Sequence, residues 1–285
     1  MPTIQLYRIS IQRCEGGQGV SAGKARLGSD GLERFRLAGK SILITGATGA
    51  LGRAAAEALG RAGALLTLAG GNAPLLKDVA AQQGEAIAVP RRPETQQDAA
   101  AMVDAAVSAY GRLDGLLVAS GMNRVAPITE LDVADFEEVM DANVRGSWLV
   151  CQAAGRQLLA QGDGGSVVLV SSTRGRLGHP AGYSAYCPSK AAVDLLAKTL
   201  SAEWGPAGIR VNAIAPTVFR SELTAWMYAD DEKGRATREA MLARIPLGRL
   251  GEPEDFTGAL IYLLSDASAF LTGQVLYLDG GYTAC

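Results

Sequence analysis

Short apolar runs that alternate with stretches of helical pattern constrain this chain more than any other feature. The runs read at 41–45, 64–69, 86–89, 116–119, 167–170, 209–214 and 275–278, and helices are predicted over 53–62, 74–83, 96–110, 133–161, 186–204 and 253–264. An unbroken apolar run has no polar face to give to water, so both of its faces must be covered, and strands joined through helices lie parallel. The expected fold class is α/β: a doubly wound parallel sheet of Rossmann type, built as a single domain over 37–285. Residues 1–36 stand apart. Glu15-Gly16-Gly17-Gln18-Gly19 and Gly28-Ser29-Asp30-Gly31 mix glycine with polar residues without period, the pattern of a flexible N-terminal extension.

Composition narrows the class. The chain has 285 residues, 48% hydrophobic and 20% charged, with a net charge of −2, which suits one domain with a substantial core. So small a net charge gives no electrostatic reason to expect nucleic acid or an anionic membrane as partner. No apolar run is long enough to span a bilayer, and Arg8, Gln12, Arg13 and Glu15 break up any secretory leader. Cys14, Cys151, Cys187 and Cys285 have neither metal-type spacing nor the look of a disulfide framework. No metal site is expected, and the compartment expected is a reducing one, the cytoplasm.

Between the first apolar run and its helix lies Thr45-Gly46-Ala47-Thr48-Gly49-Ala50-Leu51-Gly52. A glycine-rich turn there permits close backbone approach, and the helix N-terminus behind it presents N–H groups to a dinucleotide pyrophosphate.

Tyr186-Cys187-Pro188-Ser189-Lys190 opens a later helix and places a phenol and an ammonium on one face, since residues four apart are neighbours. A tyrosine titrates near ~10, so at neutral pH about one molecule in a thousand carries phenolate. Bringing it near working pH takes roughly 3 units, or about 4 kcal/mol. A fixed positive charge favours the ionised form, so Lys190 is expected to lower the Tyr186 pKa, with a cationic nicotinamide adding to the effect.

These motifs resemble the short-chain dehydrogenase/reductases, and the resemblance covers the chain from Phe35 to Tyr282. Thr45, Gly46 and Gly52 match the family's glycine motif, while Ala50 stands at its middle glycine and Gly49 one position earlier. Ser172, in Ser172-Thr173-Arg174-Gly175, stands at the position of the catalytic serine, and Asn143 at that of the helix asparagine. Tyr183 is passed over because Cys187 occupies its lysine position. The resemblance implies a catalytic tetrad of Asn143, Ser172, Tyr186 and Lys190. Ser172 would hold the substrate oxygen and Tyr186 would move the proton. Lys190 would tune Tyr186 and bind the nicotinamide ribose, and Asn143 would position a water. It also implies NAD or NADP as cofactor, held by Gly46, Thr48, Gly49, Leu51, Gly52, Gly121, Tyr186 and Lys190. Pro216, Val218 and Ser221, in Ala215-Pro216-Thr217-Val218-Phe219-Arg220-Ser221, would add contacts at the nicotinamide.

The adenosine end departs from the family. Gly70 and Gly71 stand where relatives carry an acidic residue for NAD or an arginine for NADP, so the choice stays open. Arg53, Arg91 and Arg92 are the guanidiniums able to meet a 2′-phosphate. For substrate contact the expected residues are Arg174, Arg124, His179, Arg220 and Trp226, the last in a lid at about 217–245. A cationic wall of that kind suits a sugar acid or polyol, and within the family the sequence looks like gluconate 5-dehydrogenase-type enzymes. A 3-oxoacyl-thioester reductase is the alternative enzyme, and a catalytically silent nucleotide sensor or scaffold the alternative of another class. Family resemblance further implies a homo-oligomer, dimer or tetramer, paired through helices 133–161 and 186–204.

Overall fold

The computed structural model describes residues 31–229 and 231–285. The expected extension therefore lies outside the described residues as far as 30. Its last residues, Gly31–Phe35, form a 3-10 turn. Arg34 Nη2 donates to Asp266 O at 2.9 Å, and the Phe35 ring lies against Tyr262, with centroids 6.2 Å apart. The domain body thus begins ahead of residue 37.

The strands are β1 (Ser41–Thr45), β2 (Leu65–Ala69), β3 (Ala86–Val89), β4 (Gly115–Val118), β5 (Gly165–Val170), β6 (Ile209–Pro216) and β7 (Val275–Leu278). They form one parallel sheet in the order β3-β2-β1-β4-β5-β6-β7. The helices are α1 (Ala50–Arg61), α2 (Ala73–Ala81), α3 (Gln96–Tyr110), α4 (Val133–Met140), α5 (Gly146–Gln161), α6 (Tyr186–Trp204), α7 (Glu232–Leu242) and α8 (Pro253–Leu264).

Alternation along each strand sorts side chains into two cores, one per face. Leu43 joins Met102, Val103, Val150, Ala154 and Val193 under α3, α5 and α6. Its neighbours Ile42 and Ile44 join Ala55, Leu59, Leu76 and Phe256 under α1, α2 and α8. Thr45 pairs in register with Ala69 on one side and Val118 on the other, so β1, β2 and β4 end level. Strand order reverses there, between β1 and β4, and the crevice outside the carboxyl ends of such strands is where an open α/β sheet binds its ligand.

Two elements differ from expectation. The predicted helix 133–161 is interrupted by a π turn at Asp141–Arg145, one extra residue that re-aims Asn143. The lid stretch, read without elements, contains a 3-10 turn at Glu222–Tyr228 and α7. Five of the eleven residues of the α7 sequence EKGRATREAML are charged, and no apolar stripe announces it. Beneath the lid Met227, Ile245, Leu250 and Tyr282 form a small core of their own. Among the described residues no helix is long and apolar enough to cross a membrane.

Helices α5 and α6 approach at Gly155, where a Cβ would stand 2.7 Å from Trp204 Cη2. Gly155→Val is therefore expected to overpack this contact at a cost of about 1–3 kcal/mol. In thermal melts that is a fall of about 2–4 °C per kcal/mol, and an unchanged midpoint would show that the helices part freely.

Candidate active site

A cleft of about 680 Å³ runs across the ends of β1, β2 and β4, lined by Gly46, Thr48, Gly49, Gly71, Arg92 and Gly121 among others. Gly46 has φ +68°, and a Cβ on it would meet Ala119 C and Ser120 N at 2.6 Å. A Cβ on Gly52 would run into Gly46 O and stand 2.8 Å from Ala47 Cα. These two glycines are fixed by backbone packing. Gly49 is different: its Cβ would find only Gly46 O, at 3.4 Å. Gly49 is the N-cap of α1 and makes no side-chain cap, so the first-turn N–H groups, that of Leu51 included, have no side-chain acceptor. Ala50 at the family's middle glycine is simply the first residue of α1. An uncapped helix N-terminus behind a tight glycine turn fits a dinucleotide pyrophosphate.

Two residues of the expected tetrad, Asn143 and Lys190, converge on Gly121. A Cβ there would stand 3.0 Å from Asn143 Oδ1 and 3.3 Å from Lys190 Nζ, so the bare backbone lets both close in. Asn143 is fully buried. Its Oδ1 accepts the Met122 N–H at 2.8 Å, and its Nδ2 donates to Met122 O and Ser189 Oγ, both at 2.9 Å. Ser189 Oγ donates in turn to Tyr186 O at 2.7 Å. Both amide hydrogens are committed to protein acceptors, which makes Asn143 the clamp between the β4 exit, the π turn and α6.

Ser172 follows β5, and its hydroxyl lies near enough to the Tyr186 phenol to lower its pKa. Ser172 Oγ also accepts the Arg174 N–H at 3.2 Å and lies 3.5 Å from Pro216 O. Ser171 faces away, donating to Lys190 O at 3.3 Å. Tyr183 packs edge-on to Tyr186 with ring centroids 5.9 Å apart, and stacks on His179.

The electrostatics correct one expectation. In the protein itself burial pushes Tyr186 up to about 12, against a smaller lowering by the Ser172 hydrogen bond. Burial likewise pulls Lys190 down to about 8, opposed by Asp194 one turn along α6. Lys190 Nζ donates to Val170 O at 2.9 Å and stands 5.7 Å from the centre of the Tyr186 ring. Its charge is held beside the ring by a carbonyl, not against the phenolic oxygen, so desolvation wins. Tyr186 is thus poised as a proton donor at neutral pH. Asp194 was missed in the sequence, although its place four residues after Lys190 is the same helical spacing that singled out Tyr186.

The expected substrate residues are differently placed. Arg174 is buried, with Nη1 donating to Gly178 O at 3.1 Å and Nη2 to the Tyr282 hydroxyl at 3.2 Å. Arg124 pairs with Asp135 and Glu138 at 3.3 and 2.8 Å. Arg220 grips Glu252 at 3.0 Å and lies over the Tyr228 ring. His179 Nδ1 accepts the Ala181 N–H at 3.1 Å, so it shapes its own loop. Trp226 is half-exposed on the lid turn. Ser221, expected at the cofactor, caps that turn in a reciprocal pairing with Thr224. Pro216 closes β6 beside Ser172, and Val218 O accepts the Gly251 N–H at 3.0 Å. Of the candidates for a 2′-phosphate, Arg53 pairs with Glu222 and donates to Thr48 O at 2.8 Å, and Arg91 pairs with Asp98 at 2.8 Å.

The chain is similar to known proteins over most of its length. The family model described as Enoyl-(Acyl carrier protein) reductase matches residues 46–283. An uncharacterized oxidoreductase of Mycobacterium tuberculosis is 71% identical over 257 residues, 90% of this chain and 95% of that protein. D-threitol dehydrogenase of Mycolicibacterium smegmatis is 38% identical over 255 residues, 87% of this chain and 95% of that protein. Among solved structures, a gluconate 5-dehydrogenase of Burkholderia cenocepacia, in complex with NADP and tartrate, superposes with a TM-score of 0.83. It is 32% identical and covers 90% of this chain and 100% of its own.

The buried ammonium has a consequence for stability. Folding lowers the Lys190 pKa to about 8, so above that pH the unfolded chain binds the extra proton, and stability rises with pH up to the ordinary lysine range. Denaturant melts from pH 7 to 10 should show this rise in the native protein and its loss in Lys190→Met. Parallel curves would mean that Lys190 titrates as in water.

Proposed function

The chain belongs to the short-chain dehydrogenase/reductase family of oxidoreductases, and from that premise we propose that it interconverts a secondary alcohol and a ketone on a neutral polyol or sugar. The observation that carries the reaction is the Ser172 hydroxyl close to the partly buried Tyr186 phenol, with the Lys190 ammonium beside the ring. NAD(P), held in the cleft by Gly46, Thr48 and Gly49, would supply or accept the hydride. The remaining work falls to the chain. Ser172 holds the substrate oxygen, and Tyr186 donates its proton to that oxygen in reduction or takes it up in oxidation. A phenol held near 12 favours the donating direction at neutral pH, while oxidation quickens as pH rises. The Arg174 charge favours the phenolate left behind.

Two features support the substrate class. Arg124, Arg174 and Arg220 are each engaged by the protein, so a sugar carboxylate has no free guanidinium among them. Asn123 Oδ1, Ser184 Oγ and Tyr228 Oη, around the Ala126–Tyr183 bridge and on the lid, are buried without a hydrogen-bond partner among the described residues. Such atoms suit the hydroxyls of a polyol. Met227 turns into the small lid core.

Turnover followed by nicotinamide absorbance, crossing NAD and NADP with polyols, sugars, sugar acids and a 3-oxoacyl thioester, tests this reading. Activity is expected on a polyol or neutral sugar, falling about 10²–10⁴-fold in Tyr186→Phe with nucleotide binding retained. Turnover of the thioester alone, or a mutant as active as the native enzyme, would falsify it.

Pairing of two copies through α5 and α6 belongs to the same reading. It is supported by the exposed Trp148, Leu159 and Leu195 on those helices. Light scattering should return a dimer or tetramer, and a monomer overturns the pairing.

A further inference from the structure

We propose that Arg92 is the specificity-determining residue that makes this site prefer NADP over NAD, by receiving the 2′-phosphate in the place left empty by Gly71. This rests on the reading of the cleft as a nucleotide site.

The ends of β2 and β3 supply the geometry. Gly70 N donates to Val89 O at 3.4 Å, and the tight turns Arg91 N to Val89 O, 2.7 Å, and Glu94 N to Arg92 O, 2.9 Å, fold the loop after β3 back over the end of β2. As a result the Arg92 guanidinium fills the space a side chain at position 71 would use: a Cβ on Gly71 would stand 3.1 Å from Arg92 Cζ and 3.2 Å from Nη2. A carboxylate at the end of β2 would accept from both ribose hydroxyls and repel a phosphate. Here that position holds a planar cation, suited to phosphate by its fork of donors.

The pairing of the other arginines singles out Arg92. Four of them line the cleft: Arg91, Arg92, Arg124 and Arg145. Arg91 is held by Asp98, Arg124 by Asp135 and Glu138, and Arg145 by Asp141. Arg53, at the other side of the glycine turn, is held by Glu222. Among the described residues the Arg92 guanidinium has no hydrogen bond or ion pair, and the residue is exposed. Thr48 adds a hydroxyl at the preceding position, where a Cβ on Gly70 would lie 3.4 Å from Thr48 Oγ1. The start of α2 brings a positive helix end to the same corner, although Asn72 already caps the Leu75 N–H. Three carboxylates also line the cleft; Glu138 is paired with Arg124 and Asp141 with Arg145, which leaves Glu94 as the competing feature. If Glu94 took the ribose hydroxyls the site would prefer NAD, and binding measurements separate the two.

Calorimetric titration of the full chain with NADP⁺ and NAD⁺, without substrate, reads the preference independently of turnover. NADP⁺ is expected to bind on the order of 10–100-fold more tightly than NAD⁺, the range of a charged hydrogen-bond pair. Arg92→Gln should remove that advantage and leave NAD⁺ affinity within about twofold. Gly71→Asp, which need only push aside the end of a flexible side chain, should reverse the preference. Arg91→Gln, which loosens a guanidinium already paired, should leave the ratio unchanged. Equal or tighter NAD⁺ binding by the native protein, or equal weakening of both nucleotides in Arg92→Gln, would overturn the assignment of Arg92 while leaving the dehydrogenase reading in place. Binding of neither nucleotide to the folded chain would overturn both.

Discussion

The site is held together by a single buried amide. Asn143 engages both backbone polar groups of Met122 and the hydroxyl of Ser189, and Ser189 passes the constraint to the Tyr186 carbonyl. The exit of β4, the π turn and the first turn of α6 are thereby fixed to one another by one side chain. In a dry interior each of those groups would cost about 1–3 kcal/mol if left unpaired, so the arrangement has few alternatives. Gly121 completes it by leaving room for Asn143 and Lys190 to converge. The extra residue of the π turn is what turns Asn143 toward that point, at the expense of regular helical bonding.

Burial sets the chemistry inside this frame. Removing Lys190 from water weakens its hold on a proton, and removing Tyr186 strengthens its own. The two shifts bring a lysine and a tyrosine into a relation neither has in solution: a phenol that gives up its proton reluctantly, next to an ammonium that is easily neutralised. Asp194 acts on Lys190 from one turn away. Its own carboxyl is pushed up by burial, and its Oδ1 has no partner among the described residues. The catalytic face of α6 therefore carries several destabilised groups, which the two hydrophobic cores around the sheet must offset.

The guanidiniums show how pairing alters a reading of charge. In the sequence, arginines close to the site suggested a cationic wall. In the fold most of them are engaged: Arg124 by a pair of carboxylates on α4, Arg220 by Glu252, and Arg174 by hydrogen bonds to a carbonyl and a phenol. A sequence counts cations, but only the tertiary arrangement says which of them remain open to a ligand.

The sequence by itself determined the sheet, most of its helices and the positions of the chemical groups. Strand and helix periodicity, the turn at 45–52 and the four-residue interval from Tyr186 to Lys190 are local, and local patterns survive in one dimension. The ends of β1, β3 and β7 and of α3, α6 and α8 fall where the periodicity places them. The tertiary structure alone decided the rest. The π turn, the charged α7 and the pairing of Arg53 with Glu222, 169 residues apart, leave no periodic trace because they depend on what the fold brings alongside. The same holds for the direction of the Tyr186 and Lys190 shifts. Sequence spacing reveals a neighbouring charge, whereas the loss of water that outweighs it belongs to the packed interior.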